Sequence, residues 1–329
     1  MRDARKRLTS VLSATAIVGA GVMAAQPAQA DPDIDQVKER VDRLYHEAEV
    51  ASERYNDLRI ELKDLRADLK SLRADEKRQA QRVETAQMQV EDSIIAQFQG
   101  EGAATVGDIV VSDDPAAFLA DLNALSSYND LQSQQYADFA TEAEALSIRS
   151  TETRERLDEL ASAEQKAEDA KNEIDEKLAK AKDVLADLEA EERQQVVSRS
   201  GGSIPAPVTN VPASGRAAAA VQYALAQVGD AYVYGAMGEN AFDCSGLTMR
   251  AWAQAGVSLP HSSSAQMGSG APVSSSALQP GDLVFYYSPV SHVGIYIGNG
   301  QIVHAANPST GVTIAPVMSM PYSGAVRPG

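Results

Sequence analysis

The sequence has few of the residues that build a single compact core or a disulfide-bonded domain. Aromatic residues make up 5% of its 329 residues, and there is one cysteine. One cysteine excludes an intrachain disulfide and an all-cysteine metal site. The 46 acidic residues outnumber the 29 basic ones, for a net charge of -17. This balance argues against nucleic acid as a partner, because the phosphate backbone would be repelled.

The first 30 residues have the organisation of a signal peptide. A basic start is followed by an apolar stretch from Leu8 to about Ala25, and Ala28-Gln29-Ala30 has the small-x-small pattern of a signal-peptidase site. An uncleaved anchor is the alternative, but the apolar stretch is short for a membrane span. The pattern predicts cleavage near Ala30 and export of the mature protein.

Apolar residues then recur at alternating steps of four and three. Five such heptads lie between Val37 and Leu72, and a second run extends from Leu157 to Leu188. Heptads sustained over this length predict a coiled coil in residues 31–197. An antiparallel hairpin within one chain is favoured, although parallel dimers would show the same spacing, so the oligomeric state stays open.

A different composition separates the two runs. Ser112-Asp113-Asp114-Pro115 is a helix-start signal and predicts a tip helix near 112–127. Its apolar side chains are Phe118, Leu119, Leu122 and Leu125. They form either a small core at the tip of the hairpin or a docking surface for another protein.

The acidity belongs to the first half of the chain. Residues 31–200 hold 41 acidic and 22 basic side chains, whereas residues 201–329 hold 4 and 3. We interpret the excess as a solvated helix face that says little about the substrate. Residues 198–215 are rich in Ser, Pro and Gly and predict a linker.

Residues 216–329 form a second domain of ordinary single-domain size. The pattern predicts a helix at 216–228 and another that starts at Cys244. Strands are expected near 283–287, 293–297, 301–304 and 312–314. Helices followed by a run of strands indicate an α+β fold.

The reactive groups of a cysteine hydrolase are found in this second domain. Asp243 is placed to cap the helix that follows, which leaves Cys244 in the first turn, where the helix dipole favours a thiolate. A thiolate nucleophile needs a base, usually an imidazole, and a group that orients the base. His292 begins one predicted strand and His304 ends the next, so adjacent antiparallel strands would bring the two rings together.

Other interpretations of these residues stay open. A free cysteine is often an inert buried residue, and His292 alone fits an edge position in the sheet. His261 is a competitor for the base, whereas His46 lies among helix charges and is interpreted as structural. Two histidines and a cysteine also suggest zinc, but the ligand spacing of a zinc motif is missing. We therefore predict neither a metal nor a cofactor.

Four ordered segments carry a resemblance to a known family. They are Asp243-Cys244-Ser245-Gly246-Leu247, Pro280-Gly281-Asp282-Leu283-Val284-Phe285, Ser291-His292-Val293-Gly294-Ile295-Tyr296-Ile297-Gly298, and His304. Together they resemble the NlpC-type peptidoglycan endopeptidases over about residues 216–329. The resemblance implies a papain-like α+β core and cleavage of cell-wall stem peptides, commonly after D-isoglutamate.

The resemblance also implies roles for individual residues. Cys244 would be the nucleophile, His292 the general base and then acid, and His304 the residue that orients His292. Tyr232 matches a tyrosine beside the nucleophile, whose hydroxyl would help hold the oxyanion. Asp243 and Ser245 match positions that line the substrate pocket.

The whole chain resembles a group of division-associated cell-wall hydrolases of Gram-positive bacteria. A signal peptide, a coiled-coil hairpin, a Pro-rich linker and this catalytic domain are the shared parts. The resemblance implies that the coiled coil binds the membrane division complex FtsEX and that the free enzyme is weakly active. It also implies a role in wall remodelling and daughter-cell separation.

Two other functions compete with a stem endopeptidase. One is an amidase that cuts between sugar and peptide, and the other is a scaffold or activator whose peptidase-like domain only binds the wall. The Phe242-Asp243-Cys244-Ser245-Gly246-Leu247 segment favours the endopeptidase. The presence of Cys244, His292 and His304 argues against a scaffold.

Overall fold

The computed structural model describes residues 34–99, 115–187, 193–194, 213 and 215–329. The predicted signal peptide and almost all of the predicted linker lie outside these residues. Both therefore stay predictions.

Two long helices form the N-terminal region. Helix α1 spans Ile34–Gln99 and helix α2 spans Pro115–Ala186. Pro115 suits the first position of a helix, where no backbone N–H is needed. The tip helix predicted near 112–127 is the first segment of α2, which continues without a break. None of the described helices has an apolar stretch long enough to cross a membrane.

The two helices pair antiparallel through a narrow apolar seam. Two buried hydrophobic clusters lie between the helices, and we call their aliphatic residues the seam. These residues are Val41, Leu58, Leu62 and Leu65 on α1 and Ala163, Ala167, Ala170 and Ala181 on α2. Residues near the start of α1 meet the end of α2, and later α1 residues meet earlier α2 residues, which is the hairpin arrangement expected from the heptads. Leucine on one helix against alanine on the other allows close approach of the two axes.

The C-terminal domain begins with short helices and short strands and ends in a run of five strands. Its helices are α3 (Gly215–Ala226), α4 (Cys244–Gln254) and α5 (Ser263–Met267), with a 3₁₀ turn at Ser275–Ala277. The strands are β1 (Ala231–Tyr232), β2 (Ala241–Phe242), β3 (Ala271–Pro272), β4 (Leu283–Tyr286), β5 (His292–Gly298), β6 (Gln301–Ala305), β7 (Val312–Pro316) and β8 (Tyr322–Arg327).

Strands β3 to β8 form one antiparallel sheet in the order β3-β8-β4-β5-β6-β7. Helices α3 and α4 pack on it, with Leu247 and Trp252 of α4 in the same core as Phe285 and Ile295. The α+β prediction is confirmed, and the four predicted strands are β4 to β7. The sequence pattern missed β8, where Ser323 and Gly324 interrupt the apolar residues.

Candidate active site

The start of α4 fixes the position of the cysteine. Asp243 has extended backbone angles (φ -92°, ψ 178°), and its carboxylate accepts a hydrogen bond of 2.6 Å from the Gly246 N–H, as an N-cap does. Cys244 therefore occupies the first turn and is buried. Gly246 is required here because a Cβ atom would lie 2.2 Å from the carbonyl oxygen of Ala236.

The two histidines meet across neighbouring strands. His292 is the first residue of β5, His304 lies on β6, and their Nε2 and Nδ1 atoms are 2.7 Å apart. Gly294 leaves room for this pair, since a Cβ atom there would lie 3.2 Å from Cβ of His304. Burial, and then the charge of His292, lowers the pKa of His304 well below its ordinary value. A neutral His304 is suited to hold His292 by a hydrogen bond.

The predicted nucleophile and base come together beneath helix α1. Ligand atoms of Cys244, of His292 and of Glu49 from α1 all lie within 4.8 Å of one another. A thiol, an imidazole and a second group that orients the imidazole are the parts of an activated nucleophile. The structure thus assembles the three residues predicted from sequence, although their catalytic roles stay predictions.

A carboxylate of α1 occupies the nitrogen of His292 that His304 leaves free. Because Nε2 of His292 is engaged by His304, Nδ1 is the ring nitrogen left to accept a proton from the thiol. Nδ1 instead lies 2.6 Å from Oε1 of Glu49. The Cys244 thiol, in turn, lies 3.7 Å from Oε1 of Glu53 and 3.9 Å from the carbonyl oxygen of Ser291.

Glu53 and Asp57 anchor α1 to the mouth of the site. Glu53 accepts hydrogen bonds from the Ser245 hydroxyl at 2.7 Å and from the Ser263 backbone N–H. One helical turn further, Asp57 accepts from the hydroxyls of Ser262 and, at 2.8 Å, of Ser264. Residues four apart share one helix face, so these acidic residues contact the domain together.

Further contacts extend along the same helix face. The Tyr234 hydroxyl donates to the carbonyl oxygen of Tyr45 at 2.9 Å, and the Asn56 amide donates to Asp243 at 3.2 Å. The ring of His46 lies over that of Tyr287, with centroids 4.1 Å apart. We call the residues of α1 that make these contacts the docking face: Tyr45, His46, Glu49, Glu53, Asn56 and Asp57.

The docking face corrects one interpretation made from the sequence. His46 lies among helix charges as expected, with Nδ1 3.7 Å from Oε2 of Glu49, and it also contacts Tyr287 of the C-terminal domain. The acidity of α1, however, is not only a solvated face, since Glu49 and Glu53 are 6% and 3% exposed. A buried polar stripe and an exposed one have the same composition, so the sequence alone did not distinguish them.

Burial under α1 reverses the expected thiolate character of the cysteine. The helix start favours a thiolate, but burial, followed by the charges of Glu53, Glu49 and Asp243, raises the pKa of Cys244 well above its ordinary value. With α1 docked the sulfur is held as a thiol, which is a poor nucleophile.

The two docking carboxylates differ in charge state. Burial, and then the charge of Asp243, raises the pKa of Glu53 to about 7. Burial acts the same way on Glu49, but the charge and hydrogen bond of His292 outweigh it and lower the pKa of Glu49. Glu49 is therefore an anion paired with His292.

Comparison with known proteins identifies the domain that contains this site. Residues 229–326 match the model of the NlpC/P60 family. The C-terminal domain belongs to the NlpC/P60 family. The resemblance found from the sequence motifs is confirmed for this part of the chain.

Curated relatives share the domain but not the whole chain. A probable endopeptidase of Corynebacterium glutamicum is 47% identical over 116 residues, which are 35% of this chain and 56% of that protein. A probable endopeptidase of Mycobacterium tuberculosis is 50% identical over 107 residues, 32% of this chain and 28% of that protein. This chain thus spans about half of the first relative and about a quarter of the second.

A solved structure covers the same part. The NlpC/p60 domain of the peptidoglycan hydrolase SagA is 34% identical and covers 33% of this chain and 97% of that chain, with a TM-score of 0.32.

The remaining predicted site residues surround the nucleophile of the NlpC/P60 domain. Tyr232 is buried, and burial followed by the charge of Glu49 raises its pKa well above the ordinary value. Its hydroxyl therefore stays protonated and able to donate. Ser245 is in contact with Glu53, so a carboxylate lies where the resemblance places substrate.

The carboxylate of Asp243 has several hydrogen-bond partners in the NlpC/P60 domain. Besides capping α4, its Oδ2 atom accepts from the Gly235 N–H at 3.0 Å. Nε2 of His261 lies 2.8 Å from Oδ1 and 2.9 Å from Oδ2 of Asp243. This pairing engages His261 with Asp243, which argues against His261 as the base.

Part of the cleft stays open beside α1. A cavity of about 660 Å³ is bordered by His292 and His304 on one side and by Tyr45, His46 and Glu49 on the other. The helix therefore covers the reactive atoms without filling the whole cleft.

Proposed function

We propose that the protein is an exported cysteine endopeptidase that cleaves peptidoglycan stem peptides. The observation that carries this proposal is the placement of Cys244, at the capped start of α4, beside the hydrogen-bonded pair of His292 and His304. The NlpC/P60 domain and the relatives described as endopeptidases support the same activity. Export rests on the signal-peptide pattern that ends near Ala30.

The mechanism follows from the orientation of the two histidine rings. His292 Nδ1 takes the thiol proton, Cys244 attacks the peptide carbonyl, and His292 then returns the proton to the leaving amine. His304 holds Nε2 of His292 and so aims Nδ1 at the sulfur. Backbone N–H groups at the start of α4 and the Tyr232 hydroxyl would stabilise the oxyanion.

The bond that fits best joins D-isoglutamate to the diamino acid of the stem. This choice rests on the family resemblance and on the chemistry of the cleft. Ser245 and Ser263 hold the Glu53 carboxylate close to the sulfur. A stem peptide brings a free carboxylate of its own to this region, because the γ-linkage of isoglutamate leaves its α-carboxylate unreacted.

We further propose that α1 restrains the enzyme. Glu49 occupies the proton-accepting nitrogen of the base, and Glu53 lies beside the nucleophile, so substrate and the docked helix compete for one place. The contact is suited to release, because buried polar atoms of Asn56, Ser263 and Ser291 have no hydrogen-bond partner there. Each such atom costs about 1–3 kcal/mol.

Release would come from a partner at the far end of the helical hairpin. Phe118, Leu119 and Leu122 at the start of α2 are 37%, 60% and 39% exposed, which suits an apolar protein contact. By resemblance the partner is the extracellular part of FtsEX, and the role is wall remodelling during daughter-cell separation.

The test is mass spectrometry of muropeptides after incubation of cell wall with the mature chain. The Glu49→Ala/Glu53→Ala form supplies a released enzyme, and the same form with Cys244→Ala is its control. New fragments that end at D-isoglutamate, absent with Cys244→Ala, are the expected result. Stems freed intact from sugar would favour the amidase, and digestion that persists without Cys244 would overturn the mechanism.

A further inference from the structure

Docking of α1 brings together three side chains of the kinds that bind zinc. The carboxylate of Glu49, the thiol of Cys244 and an imidazole nitrogen of His292 lie within 4.8 Å of one another, and all three residues are buried. The two residues of the NlpC/P60 domain supply only two ligands by themselves. The third comes from α1, so the set is complete only when the helix is docked.

The orientation of His292 fits metal binding. A metal-ligating histidine usually has its second ring nitrogen held by another group, which fixes the ring. Nε2 of His292 is held by His304 at 2.7 Å, while Nδ1 points toward Glu49 at 2.6 Å. The free nitrogen therefore lies on the same side as the other two ligand atoms.

The charge around this cluster also favours a cation. Carboxylate oxygens of Glu49 and Glu53 lie within 4.8 Å and at 3.7 Å of the sulfur, and Asp243 is its chain neighbour. In the part of the chain that the structure describes, the cationic partners of these carboxylates are histidines, His292 and His46 for Glu49 and His261 for Asp243. A divalent ion would place positive charge among these buried carboxylates.

We propose that Zn²⁺ binds Glu49, Cys244 and His292 Nδ1 and thereby fastens α1 over the nucleophile. Sulfur, imidazole and carboxylate are the ligands of tetrahedral zinc sites, with bond lengths of about 2.0–2.3 Å. Glu53, 3.7 Å from the sulfur, or a water completes the fourth position. Binding releases the thiol proton, and the proton shared by Glu49 and His292, to solvent.

This site is regulatory and adds nothing to the chemistry of cleavage. Because one ligand belongs to α1, zinc binds the docked form more tightly than the released form and shifts the population toward docking. The ion occupies the sulfur and the base at once, so the enzyme with zinc bound is inactive. The inference goes beyond the proposed function, and its test measures metal binding without any substrate.

The test is titration of the mature chain with Co²⁺, a spectroscopic substitute for zinc, followed by competition with Zn²⁺. Cys244 is the only cysteine, so a thiolate-to-cobalt absorption band reports this one side chain. We expect the band in the mature chain, its loss on adding zinc, and no band in Cys244→Ala. A mature chain without the band would overturn the proposal.

Variants at Glu49 separate a three-ligand site from ordinary thiol binding. Glu49→Gln should weaken cobalt and zinc binding at least about tenfold, the usual scale of losses around metal sites. Glu61→Gln, on an exposed part of the same helix, should leave binding unchanged. Glu49→His restores a metal ligand and should recover the affinity.

The same variants show which result contradicts the site. If Glu49→Gln bound the metals as tightly as the parent chain, then α1 would contribute no ligand. If Glu49→His bound no better than Glu49→Gln, the loss would reflect undocking of the helix rather than loss of a ligand. Either outcome would overturn the proposal and leave the proposed peptidase activity untouched.

Discussion

Helix α1 has two buried faces that differ in chemistry. The seam toward α2 joins leucine and valine to alanine, as in the contact of Leu62 with the α2 alanines. The docking face toward the NlpC/P60 domain is polar, with Glu49 and Glu53 against His292 and Ser245. One face resembles a protein core, and the other resembles an enzyme–inhibitor contact that is able to open.

The two faces differ in the free-energy cost of exposing them to water. Separation of the seam exposes apolar surface, at about 25 cal/mol for each Å², and nothing in water replaces the lost contacts. Separation of the docking face returns carboxylates to water, which solvates them well. We therefore expect the hairpin to persist while the docking face opens.

The largest effect is expected from a cavity in the seam. Leu62→Ala removes a buried side chain, 7% exposed, and should lower the free energy of unfolding of the hairpin by about 2–5 kcal/mol. Chemical denaturation followed by circular dichroism would measure it. Leu119→Ala, at a position 60% exposed, is the matched control, and an equal loss there would contradict the seam.

Loss of the docking carboxylates should have the next largest effect, and it should appear in activity. Glu49→Ala/Glu53→Ala is expected to raise muropeptide release about tenfold or more, because each charged hydrogen bond contributes about 1.5–3 kcal/mol. Isolated residues 216–329 should also exceed the mature chain. The rates are measured with a chelator present, so that metal binding does not enter.

A control for this variant lies on the same helix. Glu61→Ala/Asp64→Ala removes two exposed carboxylates beyond the docking face and should leave the rate unchanged. Equal rates for the docking variant and the mature chain would show that α1 does not restrain the enzyme. The peptidase mechanism would stand in that case.

Loss of one uncharged side chain from the docking face should matter less. Asn56→Ala removes the bond from the Asn56 amide to Asp243 and an unpaired buried oxygen with it. The lost bond to a charged group is partly offset by removal of the unpaired oxygen, so the net loss should be about 1 kcal/mol and muropeptide release should rise at most about fivefold. A rise as large as that of the double variant would mean that Asn56 carries the docking.

The smallest effect is expected from an exposed ion pair between the helices. Nη1 of Arg54 lies 2.9 Å from Oε2 of Glu173, and both side chains are exposed. Arg54→Ala should change the free energy of unfolding by at most about 1 kcal/mol and leave activity alone. A change as large as that of Leu62→Ala would show that charge, rather than apolar packing, holds the hairpin.

The sequence predicted those parts of the fold in which apolar residues recur at a regular spacing or a local motif marks the start of an element. Heptads predicted the seam because apolar side chains every three or four residues must share a face. The capped helix start at Asp243 predicted the position of Cys244, and strand spacing predicted the His292–His304 pair. Strand β8 was missed because Ser323 and Gly324 break its pattern.

Sequence periodicity did not predict the docking face. Glu49, Glu53 and Asp57 recur every four residues, which is also how a solvated acidic face recurs. What distinguishes them is a partner about 190 residues away in the chain, as in the contact of Glu53 with Cys244. Only the tertiary structure supplies that partner.

The reactivity of the Cys244 thiol shows whether α1 covers it in solution. The measurement is the rate of alkylation by iodoacetamide, followed by mass spectrometry, in the mature chain and in Glu49→Ala/Glu53→Ala. With one cysteine in the chain, every modified molecule reports this site. We predict slow labelling of the mature chain and at least about tenfold faster labelling of the variant, the ratio for about 1.4 kcal/mol. Equally fast labelling of both would show that Cys244 is not covered by α1 and would contradict the restraint.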